Sequence, residues 1–206
     1  MRIVYFSDIH GHVEKLASMP DADLVLFGGD LTMLGDEAVF RKTMETVAAR
    51  YPDFLGVIGN MDCLEGENVL KESGHLLSLE PMVRQGLRIL GIGGGNRSPF
   101  STPVEWEDDA MAQRLSGITE PADILVCHAP PMGSGADVIS SGANVGSTAI
   151  AGFVERMKPV LVLCGHIHEA TGIYRLGDSF VVNPGPDGYA QIDWNDGKPV
   201  IALKQL

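Results

Sequence analysis

The chain has 206 residues, of which 45% are hydrophobic and 20% are charged, a composition typical of a globular protein with one substantial core. The net charge of −12 at pH 7 disfavours binding of nucleic acid through a broad basic surface. No apolar run approaches the roughly 20 residues needed to cross a bilayer, and the N-terminus lacks a secretory cleavage pattern. We therefore expect a cytoplasmic protein with a single domain over residues 1–206 and no membrane association.

In the first half of the chain, short apolar runs alternate with amphipathic segments. RIVYFS predicts a strand, followed by a loop and a short helix near 12–18, and DLVLFGGD predicts a second strand. Apolar residues at helical spacing predict a helix over 36–50 with Asp36 as its cap, and FLGVIGN predicts a third strand. Strand, helix and strand in this order indicate parallel βαβ units.

The second half begins with the same rhythm and then changes. LRILGIGGG, DILVCHAP and VLVLC predict further strands, with helices near 104–116 and over 146–157. After Gly165 the runs become shorter and are separated by Gly, Pro and Asn turns, which predicts an antiparallel meander. The Gly- and Ser-rich segments 93–103 and 133–147 are long for structureless connections, and such loops are often functional.

The three cysteines, Cys63, Cys127 and Cys164, all lie beside candidate functional residues. Their odd number and their spacing match neither a zinc knuckle nor a disulfide framework. We expect reduced, buried thiols.

Polar residues follow five of the predicted strands at their carboxyl ends. In open α/β sheets these ends form the ligand crevice, so we expect the side chains to be neighbours in space. In chain order they are Asp8, His10, Asp30, Asn60, Asp62, His128, His166 and His168.

The types of these residues indicate a metal site. Carboxylate, imidazole and amide ligands without thiolates suit divalent Mn, Fe, Co, Ni or Zn. Without Asp62, seven ligands remain, which are too many for one closed tetrahedral site and suit two ions that share a bridging carboxylate. Adjacent glycines let the backbone turn sharply beside the ions, namely Gly28, Gly29, Gly59 and Gly165.

The motifs DIH, GGD, GN-x-D, a later H and GHIH, in this order, resemble the signature of calcineurin-like metallophosphoesterases. The resemblance extends from Asp8 to about residue 185. It implies a four-layer α/β/β/α sandwich and a dinuclear centre that hydrolyses phosphodiesters, with monoesters left open. We expect a bridging hydroxide as the nucleophile. The resemblance assigns Asp8, His10, Asp30 and His168 to one ion and Asp30, Asn60, His128 and His166 to the other, with Asp30 as the bridge.

One position departs from the family pattern. The third motif commonly reads Gly-Asn-His-Asp or Gly-Asn-His-Glu, and its histidine is thought to protonate the leaving group or to stabilise the transition state. Here that position is Met61, whose thioether cannot donate a proton. This leaves open a second class of function, a catalytically weak or inactive scaffold of the same fold that binds a protein partner. The intact ligand set favours the enzyme.

Four further roles are predicted around the metal site. Asp62 is expected to orient His10 or a neighbouring ligand through a hydrogen bond. His12 is the nearest alternative proton donor, or it simply begins a helix and faces solvent. Asn60 and Arg97 are predicted to bind the substrate phosphate, although Arg97 can also be read as an ordinary surface arginine.

The sequence leaves several questions open. Residues 146–148 begin a predicted helix and could present N–H groups to an anion, although ordinary capping is the simpler explanation. The expected partner is a small phosphorylated substrate, and cyclic nucleotides, other diesters and monoesters all fit. A nuclease is disfavoured by the absence of a basic stripe. The hydrophobic C-terminal segment could bury a surface against a second copy, so a homo-oligomer stays open.

Overall fold

A computed structural model describes residues 1–206, with thirteen strands, four α-helices and two short 3-10 helices. The strands are β1 (Arg2–Phe6), β2 (Leu24–Phe27), β3 (Leu55–Gly56), β4 (Met82–Arg84), β5 (Leu87–Ile92), β6 (Gly95–Asn96), β7 (Glu105–Trp106), β8 (Ile124–Cys127), β9 (Leu161–Leu163), β10 (Gly172–Leu176), β11 (Ser179–Asn183), β12 (Gly188–Asn195) and β13 (Lys198–Gln205). The α-helices are α1 (Glu37–Arg50), α2 (Gly66–Glu72), α3 (Asp108–Ser116) and α4 (Thr148–Met157).

Two large sheets contain eleven of the strands. The first has the order β13-β12-β1-β2-β3, and the second has the order β10-β11-β9-β8-β5-β4. β1, β2 and β3 pair in parallel, as do β5, β8 and β9, which confirms the predicted parallel units. β6 and β7 form a separate two-stranded ribbon inside the segment that connects β5 to α3.

The predicted C-terminal meander is wrong. β10 and β11 form a hairpin that joins the second sheet, because β11 pairs in parallel with β9. β12 and β13 form another hairpin that joins the first sheet, because β12 pairs antiparallel with β1. The alternation of apolar and polar residues predicts each hairpin but carries no information on which sheet it joins.

The molecule has four layers of helices and sheets, and an apolar cluster lies between each pair of neighbouring layers. The central cluster joins the inner faces of the two sheets, with Ile3 of β1 and Leu163 of β9 among its members. The second cluster packs α1 and α2 on the outer face of the first sheet, and the third packs α3 and α4 on the outer face of the second. β1 is buried on both faces, since its alternate residues Ile3 and Val4 enter different clusters. The resulting order of layers, α/β/β/α, agrees with the expected fold class.

The helices differ from the predictions mainly at their ends. α1 begins after Asp36, whose side chain accepts a hydrogen bond from the N–H of Val39, as the predicted cap requires. The short helix after β1 is a 3-10 helix at Val13–Ser18, and α2 was not predicted. None of the helices combines the length and the apolar character needed to cross a membrane.

A carboxylate of α3 accepts hydrogen bonds from the N-terminus of α4. Ser147 caps α4, and the side chain of Asp108 accepts hydrogen bonds from the N–H groups of Thr148 at 2.8 Å and Ala149 at 3.2 Å. The hydroxyls of Ser147 and Thr148 also donate to Asp108. The carboxylate of Asp108 therefore already occupies the position that an external anion would take at this helix N-terminus. Residues 146–148 act as an ordinary helix cap, the simpler of the two roles considered for them.

Candidate metal centre

The structure brings all seven predicted ligands together at the carboxyl ends of strands from both sheets. Each follows a strand directly or within a short turn, so that its position is fixed by the pairing of that strand. β1 precedes Asp8 and His10, β2 precedes Asp30, β3 precedes Asn60, β8 precedes His128, and β9 precedes His166 and His168.

One group of ligand atoms is formed by Asp8, His10 and His168. The Nε2 atom of His168 lies 3.3 Å from Oδ1 of Asp8 and 3.3 Å from Nε2 of His10. Three potential ligands from β1 and β9 thus face one point between the two sheets.

A second group is formed by Asp8, Asp30 and His128. Nε2 of His128 lies 3.4 Å from Oδ2 of Asp30 and 2.8 Å from Oδ1 of Asn60, and the ring of His166 packs edgewise on that of His128. Asp8 belongs to both groups and Asp30 to one of them. The assignment of Asp30 as the bridge between two ions stays a prediction.

The spacing within these groups suits ligands of a divalent cation. Two nitrogen or oxygen ligands about 2.1 Å from one tetrahedral ion lie about 3.4 Å from each other. The separations of 3.3, 3.3 and 3.4 Å match this value. They are longer than an ordinary N–H···O hydrogen bond of about 2.9 Å. The 2.8 Å between Nε2 of His128 and Oδ1 of Asn60 is a hydrogen-bond distance. The carboxylates and imidazoles therefore fit divalent transition metals in geometry as well as in chemistry, and the amide fits in chemistry.

The backbone of four candidate ligands is in the left-handed region. The φ angles are 57° at Asp8, 48° at His10, 56° at Asp30 and 68° at His166. Residues other than glycine seldom adopt this conformation, and it persists where the surrounding structure imposes it, often at functional sites. Here it turns the chain sharply at the strand ends and lets successive side chains point toward the same place.

Two of the predicted glycines are required for close packing rather than for a turn. A Cβ atom on Gly59 would overlap Oδ1 of Asp30, and a Cβ atom on Gly165 would overlap Oδ2 of Asp8. Any side chain at either position would displace a carboxylate of the candidate centre. Of the four glycines predicted to allow sharp turns, only Gly29 has a positive φ, of 99°.

The buried charges of the centre alter one another's protonation. Burial acts to raise the pKa of Asp8, but the hydrogen bond to His168 and the charge of His128 lower it well below its usual value. Burial acts to lower the pKa of His128, but the charges of Asp30 and Asp8 raise it to about 9. Burial and the charge of His128 lower the pKa of His166 to about 4. Because metal ligation requires neutral imidazoles, binding of a cation by His128 would release a proton.

Asp62 holds the backbone beside Asp30 instead of orienting a histidine, which corrects the predicted hydrogen bond to His10 or another ligand. Its carboxylate accepts from the N–H groups of Leu31 at 3.2 Å, Thr32 at 2.8 Å and Gly59 at 2.8 Å, and from the hydroxyl of Thr32. Burial and the charge of Asp30 raise its pKa to about 6, against these donors. Asp62 therefore joins the loops that follow β2 and β3.

A hydrogen-bonded chain that the sequence does not reveal fixes the amide of Asn60. Nδ2 of Asn60 donates to Oγ1 of Thr102 at 3.0 Å, and that hydroxyl donates to Glu105 at 2.7 Å. Glu105 also accepts from the N–H of Thr102 and the hydroxyl of Ser98. Since the NH₂ group is held by Thr102, the Oδ1 atom of Asn60 faces the centre. Burial acts to raise the pKa of Glu105, but these hydrogen bonds lower it to about 2, so Glu105 is ionised at neutral pH.

The remaining predicted residues do not belong to either group of candidate ligands. His12 is exposed and immediately precedes the 3-10 helix, as its alternative interpretation expected, and its Nδ1 lies 2.9 Å from a carboxylate oxygen of Glu14. Arg97 and Met61 line the cavity above the centre, and the guanidinium of Arg97 pairs with Glu107. The roles of His12 as proton donor and Arg97 as phosphate ligand stay predictions. The three cysteines are free and buried, as expected.

Comparison with known proteins identifies the family. The profile of the calcineurin-like phosphoesterases matches residues 1–170. An uncharacterized protein of Methanocaldococcus jannaschii is 32% identical over 94% of this chain and 92% of its own length. A probable glycerophosphodiester phosphodiesterase of Arcobacter nitrofigilis is 25% identical over 78% of this chain and 61% of its own length.

Solved structures share the fold. The crystal structure of protein TT1561 of Thermus thermophilus superimposes with a TM-score of 0.73, covering 99% of this chain and 98% of the other at 20% identity. At this identity the similarity concerns the fold alone. With the family profile covering most of the sequence and the motif residues converging as described, the chain belongs to the calcineurin-like phosphoesterases.

Proposed function

We propose that this protein is a metal-dependent phosphodiesterase that binds two divalent ions, Mn, Fe, Ni, Co or Zn, and a small phosphorylated substrate. The observation that carries the proposal is the pair of ligand groups that share Asp8, because overlapping groups of this kind suit two neighbouring cations. The name of the Arcobacter relative supports diesters as the substrate class.

The residues of the chain would divide the work as follows. Asp8, His10 and His168 would hold one ion, Asn60, His128 and His166 would hold the other, and Asp30 would serve both. When bound, two such ions would neutralise charge on the phosphoryl oxygens and supply an activated water for in-line attack. Arg97 would orient the phosphate from the wall of the cavity, after its guanidinium exchanges Glu107 for the substrate.

Protonation of the leaving alkoxide is the step for which the chain lacks the usual histidine. Met61 lines the cavity and donates only its backbone N–H, to Oδ1 of Asp30 at 2.8 Å. We retain His12 as the proposed donor. His12→Ala should slow hydrolysis of esters with poor leaving groups and spare those with good ones, and equal losses on both would exclude this role.

The central test is hydrolysis of a chromogenic diester and a chromogenic monoester by metal-stripped protein, with Mn, Ni, Zn or Mg added back. We expect turnover with at least one ion and a preference for the diester. Absence of turnover with every ion would favour the scaffold function that Met61 leaves open.

Asp8→Asn and Asp30→Asn test the ligand assignment in the same assay. Asparagine keeps the size of the side chain and tolerates left-handed backbone, so both variants should fold. Loss of a metal ligand should lower kcat/KM at least about 100-fold, because even residues that only orient ligands contribute about 10–100-fold. Asp109→Asn, at an exposed position of α3, is the matched control and should retain full activity.

A further inference from the structure

A cavity of about 930 Å³ opens over the candidate metal centre. His10, Asp30 and Asn60 contribute to its lining. Much of the remaining wall is apolar and comes from segments that are distant in the sequence, with side chains that include Met33, Leu34, Phe100, Met132, Ile139 and Val145. The space is larger than a phosphate group needs, and its wall is chemically unlike the polar centre.

Three of the apolar side chains are unusually exposed. Phe100 is 83% exposed, Leu34 62% and Met33 61%. A single exposed apolar side chain is ordinary, but several around one concave surface mark a place where another molecule is bound. Met33 and Leu34 come from the loop after β2, and Phe100 comes from the loop between β6 and β7.

The backbone also supports a binding role for these loops. Leu34 has a φ of 56°, a conformation that is uncommon for a bulky residue, and its N–H donates to the carbonyl of Met61 at 3.0 Å. Ser101, next to Phe100, has a φ of 52°. Strained residues of this kind concentrate where a fold presents side chains to a ligand. The fold therefore holds an apolar leucine in an unfavourable conformation at the edge of the cavity.

The charges around the cavity do not suit a second anionic group. Arg97 is the only lysine or arginine that lines it, and Glu107 already pairs with that side chain. The chain as a whole carries a net charge of −12. Away from the candidate metal centre, an organic group with its own negative charge would find no unpaired lysine or arginine, whereas an uncharged apolar group would cover the exposed side chains.

We propose that the substrate of this site is a phosphate ester whose organic group is apolar and uncharged, and that this group lies in the cavity against Leu34 and Phe100. The proposal rests on the proposed phosphoesterase function, since it places the phosphate at the candidate metal centre.

Calorimetric titration of the manganese-loaded protein with the diesters ethyl methyl, butyl methyl and hexyl methyl phosphate tests the proposal; they are named below by the longer chain alone, as ethyl, butyl and hexyl phosphate. The three esters share one phosphate head and differ only in apolar length. Full burial of a methylene group corresponds to about fourfold in affinity, so partial burial should lower Kd at least about tenfold from ethyl to hexyl phosphate. A hexyl chain that ends in a carboxylate should bind no better than ethyl phosphate.

A double variant, Leu34→Asn with Phe100→Ala, removes the apolar wall. Asparagine suits the left-handed backbone at position 34, so the loop should keep its conformation. We expect Kd for hexyl phosphate to rise at least about fivefold, with ethyl phosphate unchanged within about twofold. Val200→Ala is the matched control, because Val200 is 64% exposed but lies on β13 and does not line the cavity.

The outcomes separate this proposal from the proposed function. If the three esters bind equally or not at all, the proposal is overturned, and the apolar residues would instead serve contact with another macromolecule. Dependence on chain length, together with no hydrolysis of the chromogenic diester or monoester with any ion, would support the cavity assignment and remove the enzymatic function. Hydrolysis by the same protein without dependence on chain length would do the reverse.

Discussion

Individual residues of the candidate centre were predictable in identity but not in conformation. Asp8 and Asp30 follow strands that pair in parallel, so their convergence follows from that pairing, whereas His166 follows β9 of the other sheet and reaches them because the two sheets pack together. Their left-handed backbone has no sequence signature, and each such residue costs about 1 kcal/mol or more. The fold therefore concentrates strain where the ligands meet.

Thr102 and Glu105 could not be predicted as parts of the site. They lie 42 and 45 positions after Asn60, Thr102 in the Gly- and Ser-rich segment 93–103 that was expected to be functional and Glu105 beyond it on β7. Their contribution depends on a contact between distant segments, which no local pattern encodes.

Thr102→Val should weaken metal binding about 10–100-fold, because it removes the hydroxyl that orients the amide of Asn60. Titration with Mn followed by calorimetry would measure this loss directly, without recourse to activity. Thr102→Ser keeps the hydroxyl and should bind as the natural chain does. Thr46→Val, at an exposed position of α1, is a control for the substitution itself. Unchanged affinity in Thr102→Val would show that the amide is fixed in another way.

At the scale of elements, three of the helices and all strands except β4, β6 and β7 were predicted from the sequence pattern, whereas the partners of these elements were not. The two C-terminal hairpins have the same alternating pattern, yet they extend different sheets. α2 was missed because its seven residues are too few to show a helical period. The contact between α3 and α4 through Asp108 was missed because it joins residues about 40 positions apart.

Asp108→Asn should lower the free energy of unfolding by about 2 kcal/mol at pH 7, because hydrogen bonds to an ionised group contribute about 1.5–3 kcal/mol. Burial opposes ionisation, but the hydroxyls of Ser147 and Thr148 lower the pKa of Asp108. A lowered pKa stabilises the fold above the ordinary value of 3.8 and ceases to do so as pH falls through the folded pKa. The difference between variant and natural chain should therefore shrink at low pH.

Urea unfolding at pH 7 and pH 3 would measure both effects. Asp109→Asn is the matched comparison, since Asp109 is a neighbouring aspartate in the same first turn of α3 but is exposed. Its loss should change stability by less than about 1 kcal/mol, the usual size of a helix-dipole effect. Equal losses in the two variants would contradict the role assigned to Asp108.

At the scale of the whole molecule, the excess of negative charge destabilises the fold where aspartates are buried close together, and bound cations would offset this effect. The chain has a net charge of −12, and Asp8, Asp30 and Asp62 are all buried within one region. Like charges in a buried site destabilise one another, and bound divalent ions offset them.

Added Mn should raise Tm by about 5–10 °C at 100 times Kd, because such occupancy stabilises the folded state by about 2.7 kcal/mol and a chain of this length gains about 2–4 °C per kcal/mol. Thermal unfolding of metal-stripped protein with and without Mn would measure this shift, and a chelator should reverse it. Asp8→Asn should show a smaller shift at the same Mn concentration. An unchanged Tm with every divalent ion tested would argue against a metal centre at this place.

The pairing of β12 with β1 has a consequence for how the protein is made. β1 leaves the ribosome well before its partner strand β12, because Ile3 pairs with Ile192, which lies 189 positions further along the chain. All seven candidate ligands precede residue 188, so a nascent chain can carry the complete ligand set while one edge of β1 stays open. A chaperone or the closing hairpin must cover that edge, because an unpaired strand edge invites association with other chains.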